Sequence, residues 1–345
     1  MEPQARTSDW RISTLGTAII QSRFRALQRP ATPFELMDDA VSYYRENFKP
    51  LFQISMWVYI PPVIVSILML LPAVTLSRTP ETAVLFNLLD LALTLFFYLP
   101  YFLVASFVHS AFTTLAFQMI PAGEPITLKA LWERLRPRFG TLVLNQILAF
   151  ALISVIGGVL ALGFVLFLFG AAFGVPAIVG TASPTLTLVL FFSLLTVGTI
   201  AFLVVAAMAL VWFIILPQIV VLEPNVDAVA AFSRAVELIR ANYKHAVLCC
   251  LAFWGVYAVF SISLSVLILL IFGLVGALIA VFAGAESVLN RWFTPLAHGY
   301  EAASYIAYMV LMPAMYLTST LLYFDLRYRR EGLDVYEVLQ KSKSG

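Results

Sequence analysis

Hydrophobic and polar positions alternate along this chain on two scales. Six long apolar segments, at about 51–76, 84–120, 139–175, 185–222, 245–283 and 298–324, each exceed the roughly 20 residues a helix needs to cross a bilayer. Between them lie shorter polar stretches with a helical period, and three of these run straight into a hydrophobic hairpin. The clearest two end in Arg45-Glu46-Asn47-Phe48-Lys49 and Arg240-Ala241-Asn242-Tyr243-Lys244. A weaker copy is Arg136-Pro137-Arg138-Phe139-Gly140. Internal repeats dictate architecture. The pattern predicts an all-α integral membrane protein of six transmembrane helices. They form three hairpins in a pseudo-threefold repeat, each preceded by an amphipathic interfacial helix. The expected divisions are a segment 1–30, a membrane domain 31–324 with repeats at about 31–120, 125–222 and 225–324, and a tail 325–345.

The short helices, called elbows below, carry their own signals. In the first, Thr32-Pro33-Phe34-Glu35 reads as a capping box with Pro at the first helical position. Phe34, Met37, Val41 and Tyr44 then form an apolar stripe. In the third, Asn225 is a candidate cap, Asp227 suits the positive helix start, and Val229, Phe232, Val236 and Ile239 form the stripe. The middle copy offers Leu128, Leu131, Trp132 and Leu135. Each elbow is too short and too charged to span, so it is expected to lie in the membrane interface. The closing aromatic and cation (Phe48 and Lys49, Phe139 after Arg136 and Arg138, Tyr243 and Lys244) would anchor the turn into the next span. The motif serves either as an elbow that only orients helices or as a ring that binds a partner or anionic headgroups.

Several apolar segments are far longer than a bilayer requires. A helix of some 37 residues rises about 55 Å against a hydrocarbon core of about 30 Å, so these segments must tilt, break or project. Pro61-Pro62, Pro100 and Gly157-Gly158 are the expected bend points. Gly170-x-x-x-Gly174 and Gly276-x-x-x-Ala280-x-x-x-Gly284 would let helices approach closely, in a bundle or a homo-oligomer.

Composition supports the membrane reading. Hydrophobic residues make up 61% of the chain and charged residues 12%, and the mean hydropathy is +0.94, well outside the range of soluble domains. A net charge of +2 gives no support for a nucleic-acid partner. Of the 21 basic residues, all but Arg78 and Arg291 fall in the N-terminal segment, the two long loops and the tail. That bias predicts cytoplasmic termini and cytoplasmic elbows. Residues 1–30 lack the apolar core of a secretory signal and read as a cytoplasmic segment. Cys249 and Cys250 are adjacent and cannot form an ordinary disulfide with each other. They read as small apolar residues near a membrane boundary, with lipid attachment the alternative.

Catalytic signatures do not appear. The chain has no HExxH, no Gly-rich phosphate loop, no GxSxG and no CxxC, and the spacing of His109, His245 and His298 suggests no metal site. Neither cofactor nor metal is expected. Ionisable groups inside spans are costly and often functional, which singles out Asp90, His298 and Glu301, with Arg291, as a cluster near the outer boundary. Towards the inner boundary, His109, Gln118, Asn145, Gln146 and Gln218 either line a cavity or link helices. The tail begins Asp325, Arg327, Arg329, Arg330, Glu331, mixing signs. Asp325 and Arg329 are spaced to pair on one helix face and, if buried, to clasp the end of the chain beneath the bundle. Val335, Val338 and Leu339 would then form a docking helix.

Three stretches carry a family resemblance: Pro33-Phe34-Glu35-Leu36 with Arg45-Glu46-Asn47-Phe48-Lys49, Leu216-Pro217-Gln218-Ile219-Val220-Val221-Leu222-Glu223 followed by Ala231-Phe232-Ser233-Arg234-Ala235, and Tyr323-Phe324-Asp325-Leu326-Arg327-Tyr328-Arg329-Arg330-Glu331-Gly332-Leu333-Asp334. Over residues 30–335 the chain resembles the bacterial membrane-domain family named after glycerophosphoryl diester phosphodiesterases. In that family the membrane domain is sometimes fused to a catalytic barrel and often stands alone without an established activity. The resemblance implies a fold and a place in the bacterial inner membrane, with no reaction attached. Two functions are therefore expected: a scaffold or assembly factor that binds a membrane or cytoplasmic protein, or anionic lipid, at its cytoplasmic face; or a carrier for a lipid or other amphipathic molecule.

Overall fold

The computed structural model describes residues 29–76, 80–179, 184–284 and 293–331. Arg78, Arg291 and the docking helix expected at Val335, Val338 and Leu339 lie outside the described residues. Among the described residues the regular structure is helical, and six helical stretches are long and apolar enough to cross a membrane.

The chain opens with the elbow helix α1 (Pro33–Glu46), which turns into α2 (Phe48–Leu76). The second span is built from α3 (Pro80–Leu93), a π-helical turn over Thr94–Tyr98, and α4 (Leu99–Met119). Next come α5 (Leu128–Val179) and α6 (Pro184–Leu210), then a 3-10 turn at Val211–Phe213 and the short α7 (Leu216–Leu222). The third elbow is α8 (Ala228–Ala241), followed by α9 (Tyr243–Ala283) and α10 (Phe293–Glu331).

The breaks have local causes. Pro100 has no N–H, and its ring crowds the carbonyl of Phe96 four residues back. The wider π-turn just before it relieves that conflict. At Pro61-Pro62 and at Gly157-Gly158, by contrast, the helices continue unbroken. A break that hydropathy gave no hint of lies at Val211–Ile215, inside a continuous apolar run, where Pro217 opens α7.

Two elbows end alike. Asn47 caps α1 at φ −114°, ψ 34°, and its side-chain amide donates to the Tyr43 carbonyl at 3.0 Å. Asn242 caps α8 at φ −129°, ψ 35°. The repeated Asn is thus the residue that stops the elbow and starts the span. The middle copy has Arg138 in the corresponding place, and no turn forms there. Leu128 to Val179 is a single helix of 52 residues, about 78 Å long. At the start of α8 it is Asp227 that caps, accepting from the Val229 and Ala230 N–H groups at 2.9 and 2.7 Å. Asn225 instead takes a left-handed turn at φ 61°. The Thr32–Glu35 capping box forms as the motif reads. The Thr32 N–H, and after it Arg29, hold the Glu35 carboxyl down at about 2.

The expected apolar stripes are buried in part: Tyr44, Leu131, Leu135 and Ile239 join the core, and the other stripe residues lie at its edge or are exposed. α1 faces the core with Leu36, Ala40 and Tyr43, while Phe34 and Val41 are exposed. α8 buries Ala231, Ala235 and Leu238 and exposes Val229 and Val236. At the start of α5, Leu131 and Leu135 are buried but Leu128 and Trp132 are not. Alanines beside Leu36, Tyr43, Leu238 and Ile239 let the elbows lie close against the bundle, while Phe34, Val41, Val229 and Val236 mark an exposed flank.

The principal core sits at the elbow end, where Leu36, Leu51, Phe117, Leu135, Leu238 and Leu321 pack together from six helices. α10 packs mainly on α2. Away from the elbows smaller clusters continue that seam, one at Tyr59, Ala105 and Met309 and one at Met69, Ala73 and Phe86. There α5, α6 and α9 present exposed apolar side chains such as Val159, Phe173, Leu270 and Phe282, a surface suited to lipid. The face at Gly170 is open, with nothing within 4 Å of an added Cβ. Close helix approach occurs elsewhere, where Gly198 meets the Phe167 ring and Gly299 meets the Phe272 ring. Gly198→Ala should therefore overpack the α5–α6 seam and cost about 1–3 kcal/mol. Thermal unfolding of the purified protein should show a lowered midpoint, with Gly170→Ala as a neutral control.

Candidate functional site

The tail joins the elbows through one carboxylate. Asp325, near the end of α10, is fully buried. Its Oδ1 accepts the Ala31 N–H at 2.9 Å, and its Oδ2 accepts from Arg329 Nε at 2.7 Å. His245 Nε2, at the start of α9, lies 2.8 Å from the same Oδ2. Arg329 closes the loop by donating from Nη2 to the Ala31 carbonyl at 2.7 Å. One residue thus ties the entry to α1, the start of α9 and the end of α10.

A second network binds α7 and α8 to α10. Arg234 Nε reaches both oxygens of Glu223 at 3.1 and 3.0 Å, its Nη1 reaches Glu237 at 3.0 Å, and its Nη2 meets Glu331. Burial works against the charge on Arg234, but the hydrogen bonds to Glu223 and Glu237 outweigh it and raise its pKa. Arg327 pairs with Glu331 at 3.0 Å and donates to Tyr323, whose hydroxyl donates to Glu223 at 2.9 Å. Arg330 lies 3.8 Å from Glu237. From α5, Arg138 Nη1 donates to the carbonyls of Val220, Val221 and Glu223 at 3.1, 2.5 and 3.1 Å, which closes the open end of α7. Asn145 Nδ2 donates to the Ala228 carbonyl at 2.8 Å.

These ties account for much of the charge at the elbow end and leave a specific remainder. Arg45, Lys49, Arg136, Arg240 and Lys244 are exposed and make no hydrogen bond or ion pair among the described residues. Arg240 and Arg330, with Ser233 and Glu237, line an open depression of about 550 Å³. The elbow aromatics pack locally: Phe48 stacks on Phe52, Phe139 meets Trp132 edge-on, and Tyr243 stacks on Trp212 and donates to the Met208 carbonyl at 3.0 Å. The Asn242 Nδ2 is buried and has no partner among the described residues.

A second set of polar groups runs through the bundle on one face of α10. His298, Glu301, Tyr305, Tyr308, Tyr316, Ser319 and Tyr323 follow one another at three- or four-residue steps, apart from one skipped turn at Met312. At the far end His298 lies 3.9 Å from Asp90 and 3.4 Å from Glu301, which accepts the Tyr305 hydroxyl at 2.7 Å. Those three expected residues converge. His109 stands apart in mid-bundle, its Nε2 3.0 Å from Ser55 Oγ and its ring against Tyr59 and Tyr316. Its Nδ1 is buried and has no partner among the described residues. Closer to the elbows the Gln218 amide lies 3.1 Å from Ser110 Oγ and 2.9 Å from Ser319 Oγ. With the amide turned so that its oxygen faces those hydroxyls, its nitrogen reaches the Ile214 and Ile215 carbonyls at 3.3 and 3.2 Å. It thereby repairs the break in the fourth span.

Charge at the elbow end thus divides into a paired set and a free set. His245, Glu223, Arg234 and Tyr323 join the site although no site role is read for them from sequence: the last three figure only within the family resemblance, and His245 only as no metal ligand. The Arg-x-Asn-aromatic-Lys repeat pointed next door to His245, but nothing in the chain showed that it faces Asp325. Cys249 and Cys250 are both buried, Cys249 3.4 Å from His245, which argues against lipid attachment. Among the described residues no cluster of His, Cys, Asp or Glu is arranged to hold a metal. Compared with known proteins, the chain matches no family model, no curated protein and no solved structure.

Removing one partner of a buried ionic network strands the other charges, which typically costs 3–5 kcal/mol. Asp325→Asn should lower stability by about 3 kcal/mol, read as a large drop in the thermal midpoint. Arg330→Ala breaks only an exposed pair and should stay within about 1 kcal/mol of wild type.

Proposed function

We propose that this chain is a membrane scaffold of the bacterial inner membrane, with three hairpins and cytoplasmic elbows and termini, that holds anionic lipid headgroups at its cytoplasmic face. The carrying observation is the set of exposed, unpaired cations Arg45, Lys49, Arg136, Arg240 and Lys244. Exposed apolar side chains lie beside them on the elbows: Phe34 and Val41, Leu128 and Trp132, Val229 and Val236. Apolar groups flanked by basic groups suit an interfacial position. Each Lys or Arg close to an anionic surface contributes about 1 kcal/mol of attraction. The family resemblance supports the same location and adds no reaction. The long exposed faces of α5, α6 and α9 suit lipid, a membrane protein partner or a second copy of the chain. The alternative reading, a lipid carrier, draws on Asp90, His298 and Glu301. Their links, two within α10 and one from His298 across to Asp90, are fully used in tying side chains together, which fits packing better than a substrate path.

The test is native mass spectrometry of the protein released gently from its own membrane. Wild type should retain anionic phospholipid well above its share of the membrane, and Arg45→Glu with Arg240→Glu should remove it while insertion is unchanged. Asp90→Asn with Glu301→Gln should leave lipid retention within twofold. Retention that ignores the elbow reversals overturns the reading, and loss on changing Asp90 and Glu301 favours the carrier. A stoichiometric protein released by the elbow reversals would make that protein the bound partner.

A further inference from the structure

α4 and α5 pack together along part of their length but do not close along their lipid-facing side. They leave a lateral groove in two connected stretches. One, of about 320 Å³, runs between Pro100, Val104 and Val108 on α4 and Leu142, Gln146 and Phe150 on α5. The other, of about 590 Å³, shares Pro100, Val104 and Val108 and extends to Phe96, Trp57, Leu128 and Trp132. Both volumes fall in the range of small-molecule sites, about 300–1,000 Å³. Apart from Gln146, the named walls carry no amide or charged group.

Two features of the chain create this opening. The π-turn before Pro100 turns Phe96 outward, where it is 82% exposed. The fusion of the middle elbow with its span then keeps Leu128 and Trp132 on the same straight helix as Phe150. From Pro100 to Phe112 the α4 wall rises about 18 Å, enough for an acyl chain of one leaflet, whose hydrocarbon is about 15 Å deep. Indole rings such as Trp57 and Trp132 favour the headgroup level.

Charge selects the occupant. On α5 the groove face runs through Leu128, Trp132, Val143, Gln146 and Phe150, and Arg136 falls on the same face at helical spacing. Arg136 and neighbouring Lys129 are exposed and unpaired among the described residues. Glu133 lies within one turn of both, about 40° round the helix from Lys129 and about 60° from Arg136, yet pairs with neither among the described residues, and Glu124 is engaged by Arg134. An apolar slot beside two free cations matches a lipid with an anionic head. We propose that this groove is the binding site of one anionic phospholipid from the elbow-side leaflet, its acyl chain between α4 and α5 and its phosphate against Arg136 and Lys129. The assignment rests on the reading that the elbow cations meet anionic headgroups.

The test uses the full chain with Trp132 as its sole tryptophan, reconstituted in phosphatidylcholine with rising fractions of chain-brominated phosphatidylglycerol. Quenching of Trp132 should saturate at a fraction at least tenfold below that needed with chain-brominated phosphatidylcholine. Arg136→Ala should raise the half-quenching fraction at least fivefold. Val104→Phe, which fills the α4 wall, should lower the maximal quenching, and Ile147→Phe on the α5 wall does the same should the first variant not fold. Quenching that climbs in proportion to brominated lipid whatever its head would be bulk contact and would overturn the groove. If anionic lipid is still retained in native mass spectrometry in that case, the elbow reading stands alone. If neither assay shows a preference, both fall.

Discussion

A carboxylate with no access to water has to be surrounded by donors, and Asp325 meets that demand by drawing three parts of the chain to one point. Ala31 precedes the first elbow, His245 follows the third, and Arg329 lies one turn further along α10. None of these groups is replaceable by solvent, because the carboxylate is fully buried. The position of α1 beneath the bundle therefore follows from one side chain at the opposite end of the sequence. The core at the elbow end then fills in around that tie: alanines on α1 and α8 allow close approach, and Leu36, Leu238 and Leu321 meet behind them.

The same arrangement decides which charges are available to anything else. Asp325, Arg329, Arg234, Glu223, Glu331, Arg327 and Arg138 face one another or backbone carbonyls. Among the described residues what remains free is mainly cationic, Glu133 being the acidic exception, and the arginines recur at corresponding places in the elbows, Arg45, Arg136 and Arg240. Under the proposed function that surface meets anionic headgroups. Inside the bundle the polar face of α10 plays a different part. Its links to α2, α3 and α7 satisfy groups that lipid would leave bare, and Gln218 patches the carbonyls exposed by the break before Pro217.

Hydropathy made the six spans legible, because twenty apolar residues in a row admit few alternatives. The pairing of Asp325 with Arg329 was equally visible, since it is local and at helical spacing. The repeated Asn could be seen, though its work as the residue that ends each elbow could not. Long-range choices stayed hidden: that His245 and Ala31 share Asp325, and that Arg138 caps α7. The buried faces of the elbows were legible in part: Tyr44, Leu131, Leu135 and Ile239 are buried as the stripes predict, but Phe34, Val41, Val229 and Val236 are exposed, and Ala40, Ala231 and Ala235, which carry little hydropathic signal, lie against the core. The middle elbow was expected as a separate helix. With Arg138 where its counterparts have Asn, nothing stops α5, and the result is one helix with a groove along it.

The account turns on Asp325 holding the first elbow in place. Hydrogen exchange of the reconstituted protein, followed by mass spectrometry on the peptide covering α1, measures this directly. Asp325→Asn should expose the amides of α1 while those of α2 stay protected. If α1 exchanges as slowly in the variant as in wild type, the carboxylate is not what docks the elbow, and the account of the fold is wrong.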